Sequence, residues 1–176
     1  MNDPFVQTLH AWQNFYTLLG EASATLTGLM FVAASLGTSL IDDKAGPKVQ
    51  TFITPTVTYF SLVLLISALM NIPSQTPLLL ILQLGMIGLF GTGYSLSHFR
   101  RLRGFELEPG DTGQIWLWNV ALPLFASLWL LGAAYGLRRS AVQGLDAAAV
   151  GVLLFVLIGL HNAWNVTLRM VRLTPS

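Results

Sequence analysis

The feature that most constrains this chain is the alternation of long apolar stretches with short gaps that hold almost every charge. Five such stretches run from about Phe15 to Ile41, Phe52 to Ile72, Pro77 to Phe99, Ile115 to Leu137 and Leu145 to Val171. A helix rises ~1.5 Å per residue, so about 20 residues cover a hydrocarbon core roughly 30 Å thick, and each stretch reaches that length. In lipid a continuous apolar run must satisfy its own backbone N–H and C=O groups, which leaves the helix as its only form. The expected fold is therefore all-α: an integral membrane bundle of five transmembrane helices, with a short N-terminal interfacial helix or extension ahead of it.

Composition supports the same class. The chain is 53% hydrophobic and 10% charged, where a soluble domain carries about 25% charged residues. Its 176 residues leave no room for a second unit, so residues 1–176 read as one transmembrane domain. A net charge of +1 argues against a nucleic-acid partner, and the nine Lys and Arg sit at span ends, where a lipid bilayer explains them. Cysteine is absent, which removes disulfides and thiolate metal sites together. The opening MNDPFVQTLHAWQNFY has neither the basic start nor the cleavage site of a secretory signal, so the first span is expected to be retained. With the N-terminus outside, Lys44, Lys48, Arg100, Arg101, Arg103, Arg169 and Arg172 fall inside and only Arg138 and Arg139 outside. The positive-inside rule then predicts a multi-pass protein of a cell inner membrane, N-terminus out and C-terminus cytoplasmic.

Local signals mark the boundaries. Thr76-Pro77 suits an N-cap and first turn, Asp146 puts a carboxylate near the start of the fifth span, and Arg100-Arg101 suit the C-terminal end of the third. Glu108-Pro109-Gly110-Asp111 reads as a turn, and Pro73-Ser74-Gln75 as a tight hairpin between antiparallel helices. Pro123 cannot donate to the carbonyl of Asn119, so a kink is expected there; Pro55 either does the same to Thr51 or opens the second span. Gly85, Gly88, Gly91 and Gly93 offer close helix contacts in the third span.

The first span carries the strongest internal pattern. At 100° per residue His10, Asn14, Thr17, Glu21, Ala24, Thr25, Gly28, Val32, Ser35 and Ser39 share one side, and Trp12, Tyr16, Leu26 and Met30 the other. As packing, this small-residue face admits a neighbouring backbone, with hydroxyls bonded one turn back. As function, Glu21, Thr25, Gly28, Ser35 and Ser39 line a hydrated path within the bundle or around an oligomer axis. Glu21 is the one carboxylate embedded in an apolar span. If the helix breaks at Gly20 it is an interfacial first-turn residue; otherwise it is a proton or cation site. A second cluster, His98, Asn119, His161, Asn162 and Asn165, is expected at one depth near the inner side. Its bland role is interhelical hydrogen bonding, and its remote one a haem or quinone site through His98 and His161.

Signatures of catalysis such as H-E-x-x-H, G-x-S-x-G or a P-loop are missing, and Asp42-Asp43 and Glu106/Glu108 read as solvated loop carboxylates. The expectation is a protein that is not an enzyme and has no cofactor or metal.

Across Glu21 to Leu36, Thr51-Phe-Ile-Thr-Pro55 and Ser67-Ala-Leu-Met-Asn-Ile-Pro73, the chain resembles a family of small uncharacterised bacterial multi-pass inner-membrane proteins. Their first span has an A-x-L-x-G-L-x-F-V-A-x-S pattern, met here from Ala24 to Ser35. The resemblance implies a bacterial multi-pass protein and no particular activity. The functional expectation is an oligomeric channel-like or transport protein whose polar first-span face lines a path for ions or small polar solutes. The alternative is a non-catalytic accessory or scaffold subunit of a larger membrane complex, such as a respiratory enzyme or membrane protease. Where the face of the first span points discriminates between the two.

Overall fold

The computed structural model describes residues 4–38, 46–102 and 112–173. Within them the chain is helical: α1 (Pro4–Thr38), α2 (Gly46–Met70), α3 (Pro77–Leu102), α4 (Thr112–Trp116), a π-helical turn (Leu117–Ala121), α5 (Leu122–Gly136) and α6 (Ala141–Leu173). The short α4, the π turn and α5 follow one another without a break and act as a single fourth rod. Five helices are long and apolar enough to cross a membrane: Pro4–Ser35, Ile53–Met70, Pro77–Arg100, Gly113–Gly136 and Ala141–Leu168. The apolar runs predicted the number and order of these helices.

Neighbours in space are not always neighbours in sequence. α2 packs on α1 and α6, α6 on α5, and α5 on α3, so α1 and α3 lie at opposite edges of the assembly. The hairpin expected at Pro73 does form, but α2 and α3 then diverge. Gln75 holds their junction: its amide donates to the Leu69 carbonyl at 2.9 Å and to Gln83 Oε1 at 2.6 Å. Thr76 caps α3 as expected, accepting from the Leu79 amide at 3.3 Å, and Pro77 is its first residue.

Apolar side chains fill the interior and also cover the outer surface. Tyr16, Tyr59, Phe60, Ile66, Leu84, Leu130, Phe155 and Ile158 fill the interior, while Leu29, Phe31, Leu82, Met86, Phe90, Leu128 and Leu157 stand exposed along the rods. So continuous an apolar surface would aggregate in water. Small residues let the rods approach: a Cβ at Gly159 would lie 2.6 Å from the Phe60 ring, and one at Gly151 2.9 Å from Leu130.

Several expectations need correction. Among the described residues the part of the chain ahead of Phe15 is an extension of the first span rather than a separate helix, because α1 runs unbroken from Pro4 through Gly20 to Thr38. Gly20 does not break it, since the missing side chain serves packing: a Cβ there would sit 2.9 Å from Ser67 Cβ. Asp146 is not in a first turn, for α6 already begins at Ala141. Of the two readings of Pro55, the structure bears out the first: it lies inside α2. The turn signal at residues 108–111, Asp42, Asp43 and Glu106 lie outside the described residues.

Candidate functional site

Two polar regions emerge, one outside the bundle and one within it. The outer one is the line on α1. His10, Asn14, Thr17, Glu21, Ala24, Thr25, Gly28, Val32 and Ser35 are all exposed, whereas Tyr16 and Met30 on the opposite side are buried. The helical period thus separated the two faces correctly, and it is the apolar face that packs against α2 and α6. The first-span path expected within the bundle is excluded by this orientation. Ser39, the last member of the line, lies outside the described residues.

The register of the helices sets the depth of Glu21. Gly20 meets Ser67 of α2, and Gly159 of α6 meets Phe60 of α2. Ser67 is seven residues from Phe60 along an antiparallel helix, which brings Gly20 level with about Val152, roughly 16 Å from the Ala141 end of α6. That is close to the middle of the apolar helix Ala141–Leu168. Glu21 therefore stands near mid-height of the helices and is not a first-turn residue, because α1 is continuous through Gly20. Among the described residues its side chain has no hydrogen-bond or ion-pair partner; its backbone carbonyl accepts from Thr25 Oγ1 at 2.9 Å. Ser35 Oγ likewise donates to the Phe31 carbonyl at 2.9 Å. A Cβ at Gly28 would meet nothing within 4 Å, so the protomer makes no use of that gap.

The inner region lies nearer the C-terminal end of α6. A Cβ at Gly91 on α3 would be 2.5 Å from Ser127 Oγ on α5 and 3.9 Å from Phe155 on α6, so these three positions share a level. Seven residues further along the parallel helices α3 and α6 stand His98 and Asn162. Eight residues back along the fourth rod stands Asn119, in a π turn whose extra residue absorbs the difference in count. All three are buried, at 5%, 4% and 6% exposure, and so is Thr56 of α2. Four rods thus deliver a buried polar side chain to nearly one depth. The sequence pattern had placed His98, Asn119 and Asn162 together, and the structure encloses them.

The other two members of that cluster behave differently. His161 and Asn165 are half-buried and bond to each other, His161 Nε2 to Asn165 Nδ2 at 2.9 Å, while Trp118 stacks on the imidazole with centroids 3.7 Å apart. An iron-ligating His161 would have to give up that partner, and His98 stands on a different helix, stacked on Tyr94. Among the described residues no group of three His, Asp or Glu could hold a metal ion.

Pro123 acts as expected on the carbonyls, though the distortion is a π turn just before it rather than a kink beyond. The Leu122 amide bonds to the Leu117 carbonyl, and Pro123 has no N–H. The carbonyls of Trp118 and Asn119 therefore lose the donors four residues on that a regular helix would supply. Asn119 Nδ2 turns back to the Ile115 carbonyl at 3.0 Å. Sequence reasoning missed Tyr59. It stacks on Phe155 at 5.9 Å and meets Tyr94 edge-on at 6.3 Å, and its hydroxyl is buried with no acceptor among the described residues. A tyrosine within an apolar run reads as ordinary core; the nearby hydroxyls of Thr54, Thr56 and Thr58 were the available hint.

Comparison with known proteins found no match, neither a family model nor a curated protein nor a solved structure.

Proposed function

We propose that the chain is a multi-pass membrane protein working as a homo-oligomer. Copies meet along the outward line of α1, where Glu21, Thr25, Gly28 and Ser35 line a channel-like path for ions or small polar solutes. One observation carries this reading: an unpartnered carboxylate stands at mid-height on the outside of the protomer. Facing lipid there, a charged side chain costs on the order of 2.5–3.5 kcal/mol or more. A second copy relieves that cost, and symmetry then brings one carboxylate per copy to a single level, the arrangement found in cation pores. Gly28, used by none of the protomer's own helices, supports close approach of a neighbouring backbone.

The accessory-subunit reading is favoured by a separate observation. Thr25 and Ser35 spend their hydroxyl protons on their own helix, leaving a smoother face for another protein's helix. Mass measurement in nanodiscs, combined with cation flux into liposomes, separates the two. The oligomeric reading expects several copies per particle and measurable flux, with Glu21→Gln keeping the assembly while lowering flux at least tenfold. A monomer without conductance transfers the case to the subunit reading. Unchanged flux in Glu21→Gln removes that carboxylate from the path.

A further inference from the structure

We infer that each protomer holds a small neutral hydrogen-bonding guest, water or a hydroxylic solute of similar size, in the buried layer between Tyr59, Asn119 and Asn162. The site is separate from the α1 line and does not depend on oligomerisation. On the donor side, Asn162 Nδ2 and Tyr59 Oη are both buried and have no acceptor among the described residues. The backbones at Tyr59 and Asn162 lie within about one turn in height, because Phe60, the neighbour of Tyr59, abuts Gly159, three residues before Asn162. On the acceptor side, the π turn that carries Asn119 packs against both α3 and α6, and at Trp118 and Asn119 it lacks the backbone donors normally found four residues on. Trp118 of the π turn stacks on His161, the neighbour of Asn162, so the α6 donor and the carbonyls without a donor four residues on lie side by side, and a molecule that both accepts and donates serves both. A simple cation or anion satisfies only one side. Buried groups that find no protein partner are satisfied in this way in folded proteins, since an orphaned donor in an apolar interior is costly.

The sign of a stability change tests this. Tyr59→Phe removes only an oxygen, and Asn162→Leu replaces the amide with an apolar group of similar size. If the layer is dry, each variant deletes an orphan and raises the thermal midpoint in detergent. If a guest is bound, each strips it of a partner and lowers the midpoint by about 2–4 °C. Tyr59→Phe is the decisive variant because it fits the same space; a rise or no change in its midpoint overturns the proposal, whatever Asn162→Leu does. Hydroxyl-radical labelling by X-ray pulse gives a second readout. A bound hydroxylic guest makes Tyr59 react several-fold faster than its equally buried neighbour Phe155, and equal rates overturn the proposal. Titration with glycerol identifies the guest: a midpoint of wild type that rises with glycerol while that of Tyr59→Phe does not assigns a solute, and parallel responses assign water.

Discussion

The outward line on α1 and the layer around Asn162 both put polar groups at depths where the neighbouring residues are Leu, Phe and Val. They differ in how those groups are served. On α1 the hydroxyls of Thr25 and Ser35 are satisfied by their own helix, and the charged Glu21 is left facing outward. In the interior the groups are amides, a hydroxyl and an imidazole, come from four rods and are almost wholly enclosed. The contrast teaches where each region's missing partner must come from. A group on the outside of a protomer can be completed by another chain, whereas one sealed inside can be completed only by something small enough to be trapped there.

Glycine substitutions test this contrast most strongly. Gly159→Leu drives a side chain into the Phe60 ring, which already stands 2.6 Å from the position of a Cβ. A loss of about 3 kcal/mol or outright misfolding is expected, read from unfolding in detergent. Gly28→Leu adds the same atoms where nothing lies within 4 Å. It leaves the protomer's thermal midpoint in place and shifts the oligomer toward monomer at least tenfold, measured by mass distribution against dilution. Equal destabilisation by the two substitutions would erase the distinction between the regions.

Smaller changes sharpen it. Thr17 Oγ1 bonds Asn71 Oδ1 at 3.1 Å, joining α1 to the end of α2. Thr17→Val should cost about 0.6 kcal/mol, the usual worth of one interhelical hydrogen bond in a membrane protein. Ser35→Ala, by contrast, removes a bond made within a single turn of α1, and its effect on protomer stability should fall within about 0.5 kcal/mol of zero. A larger loss from Ser35→Ala than from Thr17→Val would mean that the outer line beyond Thr17 also contributes to the protomer's own packing.

Much of this architecture was legible in the residues. Apolar run length predicted five long helices, and Thr76-Pro77 marked a true helix start. The 3.6-residue period sorted α1 into an apolar face with Tyr16 and Met30 and a polar one with Glu21 and Thr25. His98, Asn119 and Asn162 were grouped by depth from their distances to the span ends. The failures have local causes. Gly20 looked like a break because glycine disfavours helices, but Ser67 needs the room that glycine leaves. Asp146 looked close to a helix N-terminus because Gln143 and Gly144 ahead of it interrupt the apolar run and hid the true start of α6 at Ala141.

The sequence by itself determined the number of long apolar helices and the two faces of α1, because those properties depend on transfer energy and helical period, which act along one segment at a time. Only the tertiary structure decided which way the faces turn, at what height Glu21 stands, and that Tyr59 packs between Tyr94 and Phe155. These depend on which rods pack together. Contacts such as Gly20 on Ser67, Gly91 on Ser127 and Phe60 on Gly159 couple residues far apart in the chain, and no local pattern encodes them.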